Sequence, residues 1–368
     1  MAADRATDLF LELTPERVLE AVEAAGVACR PLCYPLNSFE NRVYEVELDD
    51  RDEDGRYRRV VAKFYRPGRW SEEQILAEHA FLDELVADEV AVCSARPFPD
   101  GGTLRRIDDI WYGLSDRRGG RAPDELSDAM VSRLGMLVGR IHNVGARRVA
   151  EARPRLDPAR YVHQALRFID GQGSLNGELR RRYVAAAESI AEIYDALALG
   201  VETQRIHADL HLGNVLLRDD ELRILDFDDF CQGPPVQDLW LALPGRDAET
   251  LRQREIFLEA YERFRIFDRS TLRLIEPLRG LRMVRYAGWL ARRWHDPAFR
   301  TGWPHFGSDD YWQRETDDLE EQLAEIRRSL SGDSELEASG QAERFFADVQ
   351  EPEELLTNKD YFWDWEGE

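Results

Sequence analysis

The stretch RIHADLHLGNVLLRDDELRILDFDDF (residues 205–230) differs from the sequence around it and decides the fold. Its neighbours have the apolar spacing of helices, whereas this stretch contains two short apolar runs, NVLL and LRIL, separated by a polar turn. That pattern predicts a β-hairpin. His207-x-Asp209 and Asn214 precede the first strand, and Asp226-Phe227-Asp228-Asp229 follows the second. The hairpin therefore delivers one carboxylate and one carboxamide from one end and a cluster of carboxylates from the other.

Oxygen-bearing side chains of this kind suit Mg²⁺, which usually binds one or two carboxylates and completes its shell with water and substrate phosphates. An Asp five residues before a metal-binding Asn is the arrangement of the kinase catalytic loop. In that arrangement Asp209 accepts the proton of the attacking hydroxyl, while Asn214 and Asp226 hold the metal. Two other interpretations stay open. His207, Asp209 and His211 are alternative transition-metal ligands, or the loop is held only by side-chain hydrogen bonds.

Lysine usage points to a second functional residue. Of the 49 basic residues, only Lys63 and Lys359 are lysine, and Lys63 lies inside the strand-like run VVAKFY. In kinase-type folds a strand lysine binds the ATP phosphates and pairs with a helix glutamate. Of the glutamates in the following helix (Glu72, Glu73, Glu78 and Glu84), we favour Glu78 because it has apolar neighbours mid-helix. The plainer alternative is an edge-strand lysine that extends its ammonium group to solvent.

The glycine-rich GxGxxG loop of protein kinases is missing from this sequence. Its place before the first predicted hairpin is taken by PLNSFENRVY (residues 35–44). Asn37, Ser38 and Asn41 are small polar residues that suit a turn whose N–H groups, or whose hydroxyl, face phosphates. We therefore expect this segment to contact the nucleotide.

The wider pattern predicts an α+β fold with two lobes. A helix at 14–27, a hairpin from 41–48 and 58–66, a helix from Ser71 to Ala87 and short strands in VAVCS, GTLRRI and IWYGLS predict a β-rich lobe over residues 1–115. After the Gly/Arg-rich linker 116–123, helical periodicity dominates to residue 330 around the catalytic loop 205–230. Residues 331–368 contain 12 acidic and 2 basic residues, which predicts a solvated and partly disordered tail.

Composition limits the classes of partner and the cellular compartments that are expected for this chain. The net charge of −23 disfavours nucleic acid, because a negative protein repels the phosphate backbone. No apolar run approaches the roughly 20 residues that span a bilayer, and the first residues carry no apolar signal region. The four cysteines show no zinc-type spacing. We therefore expect a cytoplasmic protein without a membrane or nucleic-acid partner. We also expect a monomer, although no feature of the sequence specifies the oligomeric state.

Several stretches together resemble a known family. HADLHLGN, ILDFDD and the lysine of the first lobe look like the aminoglycoside phosphotransferase and choline kinase branch of the kinase-like superfamily. The resemblance covers roughly residues 10–330 and narrows to the stress response kinase A (YihE-like) family of bacterial serine/threonine protein kinases. That narrower match is carried by PLNSFENRVYEV, VVAKFYRPGRWS, GPPVQDLWLAL, IEPLRGLRMVRYAGWLARRWHDPAF and DYW.

The resemblance implies a cytoplasmic protein kinase that autophosphorylates and acts in stress protection. It places the catalytic base on Asp209, Mg²⁺ ligands on Asn214 and Asp226, and a nucleotide-loop serine on Ser38. In that family the residue matching Asp226 is essential beside the base. The chain departs from the family at Ala208, where relatives often have glycine, and in its acidic tail.

We therefore expect a two-lobed protein-kinase-like fold, with ATP and Mg²⁺ in the cleft and phosphoryl transfer to a serine or threonine hydroxyl of a protein. The alternative within enzymes is a small-molecule kinase that acts on an amino alcohol, a sugar or an aminoglycoside, since an acidic surface suits a cationic substrate. A pseudokinase-like binding module is disfavoured because Lys63, Asp209, Asn214 and Asp226 occur together.

Overall fold

The N-terminal region opens with a capped helix. The computed structural model describes residues 9–10, 12–36 and 38–339, with side chains to residue 332. Helix α1 (Pro15–Ala24) begins where the Thr14 hydroxyl accepts the Arg17 backbone N–H at 3.4 Å, and a proline occupies its first turn. The helix buries Val18, Ala21 and Val22.

A six-stranded antiparallel sheet follows, in the order β1-β2-β3-β6-β4 with β5 paired to β6. Its strands are β1 (Cys29–Leu36), β2 (Arg42–Arg51), β3 (Tyr57–Phe64), β4 (Ala95–Arg96), β5 (Arg105–Ile107) and β6 (Ile110–Asp116). Strand β3 lies between β2 and β6, with Lys63 opposite Val43 on one side and Gly113 on the other. The edge-strand alternative for Lys63 is therefore wrong.

Alternation along β3 separates the core from the cleft. Val60, Ala62 and Phe64 are fully buried on one face, which directs Lys63 to the opposite face. Helix α2 (Glu72–Ala87) covers that side and begins, as predicted, at Ser71, which forms a capping box with Gln74. The run VAVCS is not a strand: only Val92 forms an isolated bridge, to Ile224, and the short strand lies one residue later at Ala95–Arg96.

The C-terminal region is mainly helical. Its helices are α3 (Asp128–Gly145), α4 (Gln164–Gln172), α5 (Gly177–Ala198), α6 (Val236–Ala242), α7 (Ala248–Tyr261), α8 (Ile275–Arg293), α9 (Pro297–Gly302) and α10 (Asp309–Ser339). A π-turn (Ala159–His163) precedes α4, and a 3₁₀ turn (Arg269–Leu274) precedes α8. A Cβ atom at Gly135 of α3 would lie 2.3 Å from the Phe257 carbonyl oxygen, so glycine permits the close packing of α3 on α7.

The stretch that decides the fold forms the predicted hairpin, β8 (Val215–Arg218) and β9 (Glu221–Ile224). Val215 pairs with Ile224, so Asn214 and Asp226 emerge together at its open end. Strands β7 (Gln204–Ile206) and β10 (Cys231–Gly233) pair beside it. Short 3₁₀ turns precede β8 and follow β9, at Leu212–Asn214 and Phe227–Asp229.

The lobe boundary after residue 115 stays a prediction; β6 ends at Asp116 and α3 begins at Asp128. The last helix differs from the expectation, because α10 continues past residue 330 to Ser339. The rest of the predicted tail, residues 340–368, lies outside the described residues. None of the helices in the described part of the chain is long and apolar enough to cross a membrane.

Candidate active site

A cavity of about 390 Å³ lies between the sheet and the hairpin. Residues from both regions line it, among them Ser38 before β2, Lys63 on β3, Glu78 on α2, and Asn214 and Asp226 at the open end of the hairpin. The fold therefore brings five of the six sequence-predicted site residues to one cavity. Asp209, the sixth, lies beside it through a hydrogen bond from the Asn214 side chain to the Asp209 backbone oxygen at 2.8 Å.

Lys63 places an ammonium group in this cavity, whose lining also includes Arg117 and Arg118. The Lys63 Nζ atom lies 3.0 Å from Asp226 Oδ1, 3.3 Å from Glu78 Oε1 and 3.3 Å from Asp228 Oδ1. Burial alone would lower the pKa of Lys63, but the three carboxylates outweigh it and hold the pKa well above its usual value. Lys63 therefore stays protonated and provides a permanent positive charge in the cavity wall.

Glu78 is one of two buried carboxylates around Lys63, the other being Asp228. The second oxygen of Glu78, Oε2, has no hydrogen-bond partner among the described residues. Burial raises the pKa of Glu78 to about 7, although Lys63 acts in the opposite direction. The remaining candidate glutamates of α2 do not compete for Lys63: Glu84 pairs with Arg205 at 2.7 Å, and Glu72 and Glu73 are exposed.

Arginines hold the two carboxylates that follow Phe227. Arg69 binds Asp228 through Nη1 and Asp229 through Nη2, each at 2.7 Å, and Arg285 binds the other oxygen of Asp229 at 2.6 Å. Burial would raise the pKa of both carboxyl groups, but Arg69 and further cations outweigh it and hold each pKa below its usual range. Asp228 and Asp229 are therefore fixed structural anions.

Asp209 has a guanidinium partner. Arg282 of α8 donates to Asp209 Oδ1 at 2.6 Å, whereas Oδ2 lies 3.7 Å from His211 Nε2, beyond hydrogen-bond distance. Burial tends to raise the pKa of Asp209, but Arg282 and then His211 more than offset it, so that the pKa is lowered. Asp209 is thus ionised at neutral pH, with Oδ2 as the oxygen that can accept a substrate hydroxyl.

The loop that carries Asp209 is fixed from behind by Asp238 of α6. Its two carboxylate oxygens accept the backbone N–H groups of His207 at 2.8 Å and Ala208 at 2.7 Å. His142 lies 3.0 Å from the same carboxylate. Ala208 adopts a φ of +68°, in the left-handed region that is strained for a residue with a side chain. This geometry explains why glycine suits the position.

The transition-metal alternative does not fit the geometry. His207 is fully buried, and its ring nitrogens are used by backbone groups: Nδ1 accepts the Asp209 N–H at 3.2 Å, and Nε2 donates to the Leu225 oxygen at 2.7 Å. His211 Nε2 lies 3.2 Å from the Asn214 side-chain nitrogen. Within residues 9–339, as far as they are described, no three His, Cys, Asp or Glu side chains are grouped as a metal site.

The segment before β2 borders the cavity through Ser38 and Asn41, and its contact with a nucleotide stays a prediction. Ser38 lines the cavity, and its hydroxyl accepts the Asn41 backbone N–H at 3.3 Å. The Asn41 side chain is engaged elsewhere: it donates to Asp228 at 3.2 Å and accepts the Arg66 backbone N–H at 3.2 Å. The Asn41 side chain therefore links the Asp228 turn to the backbone at Arg66. Asn37 lies outside the described residues.

The donor set fits a magnesium–nucleotide complex. Asp226 is half-exposed at the cavity, with a side chain that is 50% accessible and a φ of +54°. The Asn214 amide nitrogen binds the Asp209 backbone, so its carboxamide oxygen lies on the opposite side of the amide. A carboxylate and a carboxamide oxygen are ligands that Mg²⁺ accepts, with phosphates and water completing the shell. Lys63 adds a cation for the phosphates.

Sequence reasoning missed the cations that organise this site. Arg69, Arg282 and Arg285 carry no local signal, because they are three of 47 arginines and come from segments distant from the hairpin. Asp238 was visible only as part of the quoted GPPVQDLWLAL run. The doubled acid after Asp226-Phe227 was the one local hint that further cations had to be nearby.

Comparison with known proteins defines the class. Residues 33–275 match the model of the phosphotransferase enzyme family. The match begins within β1 and includes the other strands of the sheet, the cavity and the hairpin. Among solved structures, an amicoumacin kinase, determined with AMP-PNP, Ca²⁺ and Ami, aligns with a TM-score of 0.66 at 21% identity. The alignment covers 88% of this chain and 96% of that one. The chain is a phosphotransferase with the two-lobed kinase-like fold.

Closer relatives narrow the assignment. A protein named stress response kinase A from Escherichia coli is 37% identical over 308 residues, which is 83% of this chain and 92% of the relative. A serine/threonine protein kinase named RdoA from Salmonella typhimurium is 38% identical over 85% of this chain and 93% of its own length. The chain belongs to the stress response kinase A family.

Proposed function

We propose that the protein is a serine/threonine protein kinase that uses ATP and Mg²⁺, autophosphorylates and acts in the cytoplasmic stress response. The observation that carries the proposal is the convergence of Lys63, Asn214 and Asp226 on one cavity beside the ionised Asp209. Relatives at 37% and 38% identity bear the names of a stress response kinase and a serine/threonine protein kinase. Both names agree with this chemistry.

The cavity is the proposed nucleotide site. Lys63 neutralises the phosphates, and Glu78 orients the ammonium group from the buried side. Asp226 and Asn214 are the proposed Mg²⁺ ligands. Ser38 lines the cavity, and its proposed role is to contact the phosphates in place of the missing glycine-rich loop. The magnesium complex of ATP supplies the transferable γ-phosphoryl group and neutralises charge that develops on it.

Asp209 is the proposed group that acts on the acceptor. Its Oδ2 accepts the hydrogen bond of the serine or threonine hydroxyl and aims the oxygen at the γ-phosphorus. The new bond joins the hydroxyl oxygen to phosphorus, the bond to the β-phosphate oxygen breaks, and the proton passes to Asp209. Since Arg282 lowers the pKa of Asp209, orientation contributes more than basicity, as a loose phosphoryl-transfer transition state requires.

A labelling experiment separates a protein acceptor from a small-molecule acceptor. Purified protein is incubated with γ-labelled ATP and a bacterial lysate that has been divided by size into protein and small-molecule fractions. We expect label in protein, on the kinase itself and on lysate proteins, released as phosphoserine or phosphothreonine. Label confined to the small-molecule fraction would establish a small-molecule kinase instead.

A further inference from the structure

Five arginines lie on the side of the cleft away from the nucleotide cavity, and we call them the arginine cluster. They come from the loop after β3, the π-turn before α4, and helix α8: Arg69, Arg160, Arg282, Arg285 and Arg292. None of the five lines the cavity that contains Lys63. Arg282 binds the Asp209 carboxylate directly, so the cluster begins at the acceptor-orienting residue.

The cluster holds more positive charge than the carboxylates around it neutralise. Three of the five pair with carboxylates: Arg282 with Asp209, Arg285 with Asp229, and Arg69 with Asp228, Asp229 and, at 3.4 Å, Glu40. Asp228 is shared with Lys63, and Glu40 is shared with Arg66 and Arg293. Arg160 and Arg292 form no ion pair within the described residues. Their guanidinium carbons lie over aromatic rings, each 5.1 Å from the ring centroid, of Trp70 and Phe168 respectively. Arg292 also donates to the Gly68 backbone oxygen at 3.4 Å.

Arg160 and Arg292 are both partly exposed, and neighbouring charges contribute to a lowered pKa of each guanidinium. Burial and then Arg285 lower the pKa of Arg160 to about 10. Burial and then other arginines, beginning with Arg293, lower the pKa of Arg292 to about 10. Burial is the larger cause for both residues, and repulsion by neighbouring arginines adds to it. Together with the missing ion pairs, this repulsion indicates locally uncompensated positive charge, although the chain as a whole has a net charge of −23. An anionic partner would relieve the repulsion.

Resting on the proposed function, we infer that the acceptor hydroxyl is carried by an acidic protein segment, whose carboxylates bind Arg160 and Arg292 while its serine or threonine reaches Asp209. Arg282 lies 2.6 Å from Asp209, so a substrate hydroxyl that binds Asp209 has a guanidinium close by, which repels the amine groups of amino alcohols and aminoglycosides. Nucleic acid also fits arginines, but the net charge of −23 repels a long polyanion. A short acidic segment meets only the cluster.

The test uses the full-length protein, Mg²⁺-ATP and three serine peptides of equal length. They differ only in the residues that flank the serine: Asp and Glu, Asn and Gln, or Lys and Arg. We expect the acidic peptide to have a KM about tenfold lower than the neutral one, with added salt reducing the preference. The basic peptide should be the poorest substrate.

Variants connect the preference to the cluster. Arg160→Gln and Arg292→Gln should each raise the KM of the acidic peptide about fivefold, with the KM for ATP unchanged. Arg292→Glu should raise it further. Arg181→Gln is the matched control, because Arg181 is an exposed arginine of α5 that pairs with Glu178 on the same helix. It should change neither KM.

Three results would overturn the inference. If the neutral or basic peptide is preferred, or the cluster variants behave like Arg181→Gln, the acidic acceptor is wrong, while phosphorylation of serine still supports the proposed function. If an RNA oligonucleotide competes with the acidic peptide more strongly than a second acidic peptide does, the cluster is a nucleic-acid site. If only amino alcohols or sugars are phosphorylated, both the inference and the proposed function fail.

Discussion

The two sides of the cleft use different cations for different purposes. On the cavity side, the single ammonium group of Lys63 lies 3.0–3.3 Å from three carboxylates. On the other side, the planar guanidinium of Arg69 spans Asp228 and Asp229, with both contacts at 2.7 Å. An ammonium is a compact point charge with three donors, whereas a guanidinium is a rigid fork.

The two kinds of cation therefore differ in how firmly they hold their carboxylate partners. A lysine that shares three anions can turn toward phosphates without dismantling the loop around it. The arginine pairs of Asp228 and Asp229 hold the turn after Asp226 in one conformation, which lets Asp226 keep its left-handed backbone. The need for a cation that can turn between carboxylates and phosphates explains a lysine at position 63, in a chain where 47 of the 49 basic residues are arginine.

The largest expected effect comes from the arginine side, at Asp209. Asp209→Asn removes the carboxylate that we propose orients the acceptor, and it leaves Arg282 without this anionic partner. We expect turnover to fall about 10²- to 10⁴-fold, the usual value of a positioned acid–base group. The measurement is the initial rate of label transfer from ATP to protein at saturating ATP. A variant with the rate of the unmodified protein would remove Asp209 from the mechanism.

Lys63→Arg tests the division between the two cations. Charge is kept, but a planar fork replaces a point charge among Asp226, Asp228 and Glu78, so the phosphates are misplaced. We expect activity to fall about 10²-fold with little change in Tm. Arg58→Lys, an exposed exchange on the same strand, is the matched control and should change neither quantity. Full activity of Lys63→Arg would show that any cation serves.

Glu78→Gln should raise the KM for ATP about tenfold, because Lys63 loses its buried orienting partner. It also predicts a pH dependence. Burial raises the pKa of Glu78 from 4.5 to about 7, so the folded protein binds a proton more tightly than the unfolded chain does. The contribution of Glu78 to the free energy of unfolding therefore falls as the pH rises through that window.

The glutamine variant does not titrate and lacks this loss. Its Tm relative to the unmodified protein should rise between about pH 5 and about pH 8. Thermal unfolding at several pH values checks the sign. A relative Tm that falls over that interval would contradict the raised pKa.

The smallest effect is expected at Ala208. Its φ of +68° costs an alanine roughly 1–2 kcal/mol, and glycine removes this strain. Part of the gain is lost because glycine has more conformational freedom in the unfolded chain. Ala208→Gly should therefore raise the free energy of unfolding by about 0.5 kcal/mol. Ala187→Gly, inside α5, is the control and should lower it by about 1 kcal/mol or more. Denaturant unfolding measures both, and destabilisation by Ala208→Gly would show that the strain is absent.

The sequence allowed prediction of what local patterns encode. The two apolar runs separated by a polar turn predict the hairpin, and Ser71 marks the start of α2. The spacing from Asp209 to Asn214 predicts the catalytic loop before the hairpin. Lys63 stood out because lysine is so rare in this chain. These features depend on residues close together in sequence, so the pattern contains the information.

Other features depend on segments that meet only in the folded chain. Strand β1 was not predicted, because Pro31 and Pro35 disguise an edge strand that tolerates proline. The binding of Asp209 by Arg282 joins residues 73 positions apart, and nothing in the spacing of the arginines distinguishes this one. The surplus charge of the arginine cluster likewise appears only when its contributing segments are brought together.

Calorimetric titration of ATP, with and without Mg²⁺, into the unmodified protein, Asp209→Asn and Asp226→Asn tests most directly the division of the cleft into a nucleotide side and an acceptor side. We predict that Asp209→Asn binds ATP like the unmodified protein, with the same dependence on Mg²⁺, because Asp209 contacts the acceptor. Asp226→Asn should lose that dependence, since it removes the anionic ligand. Loss of Mg²⁺-dependent binding in Asp209→Asn together with its retention in Asp226→Asn would contradict the account.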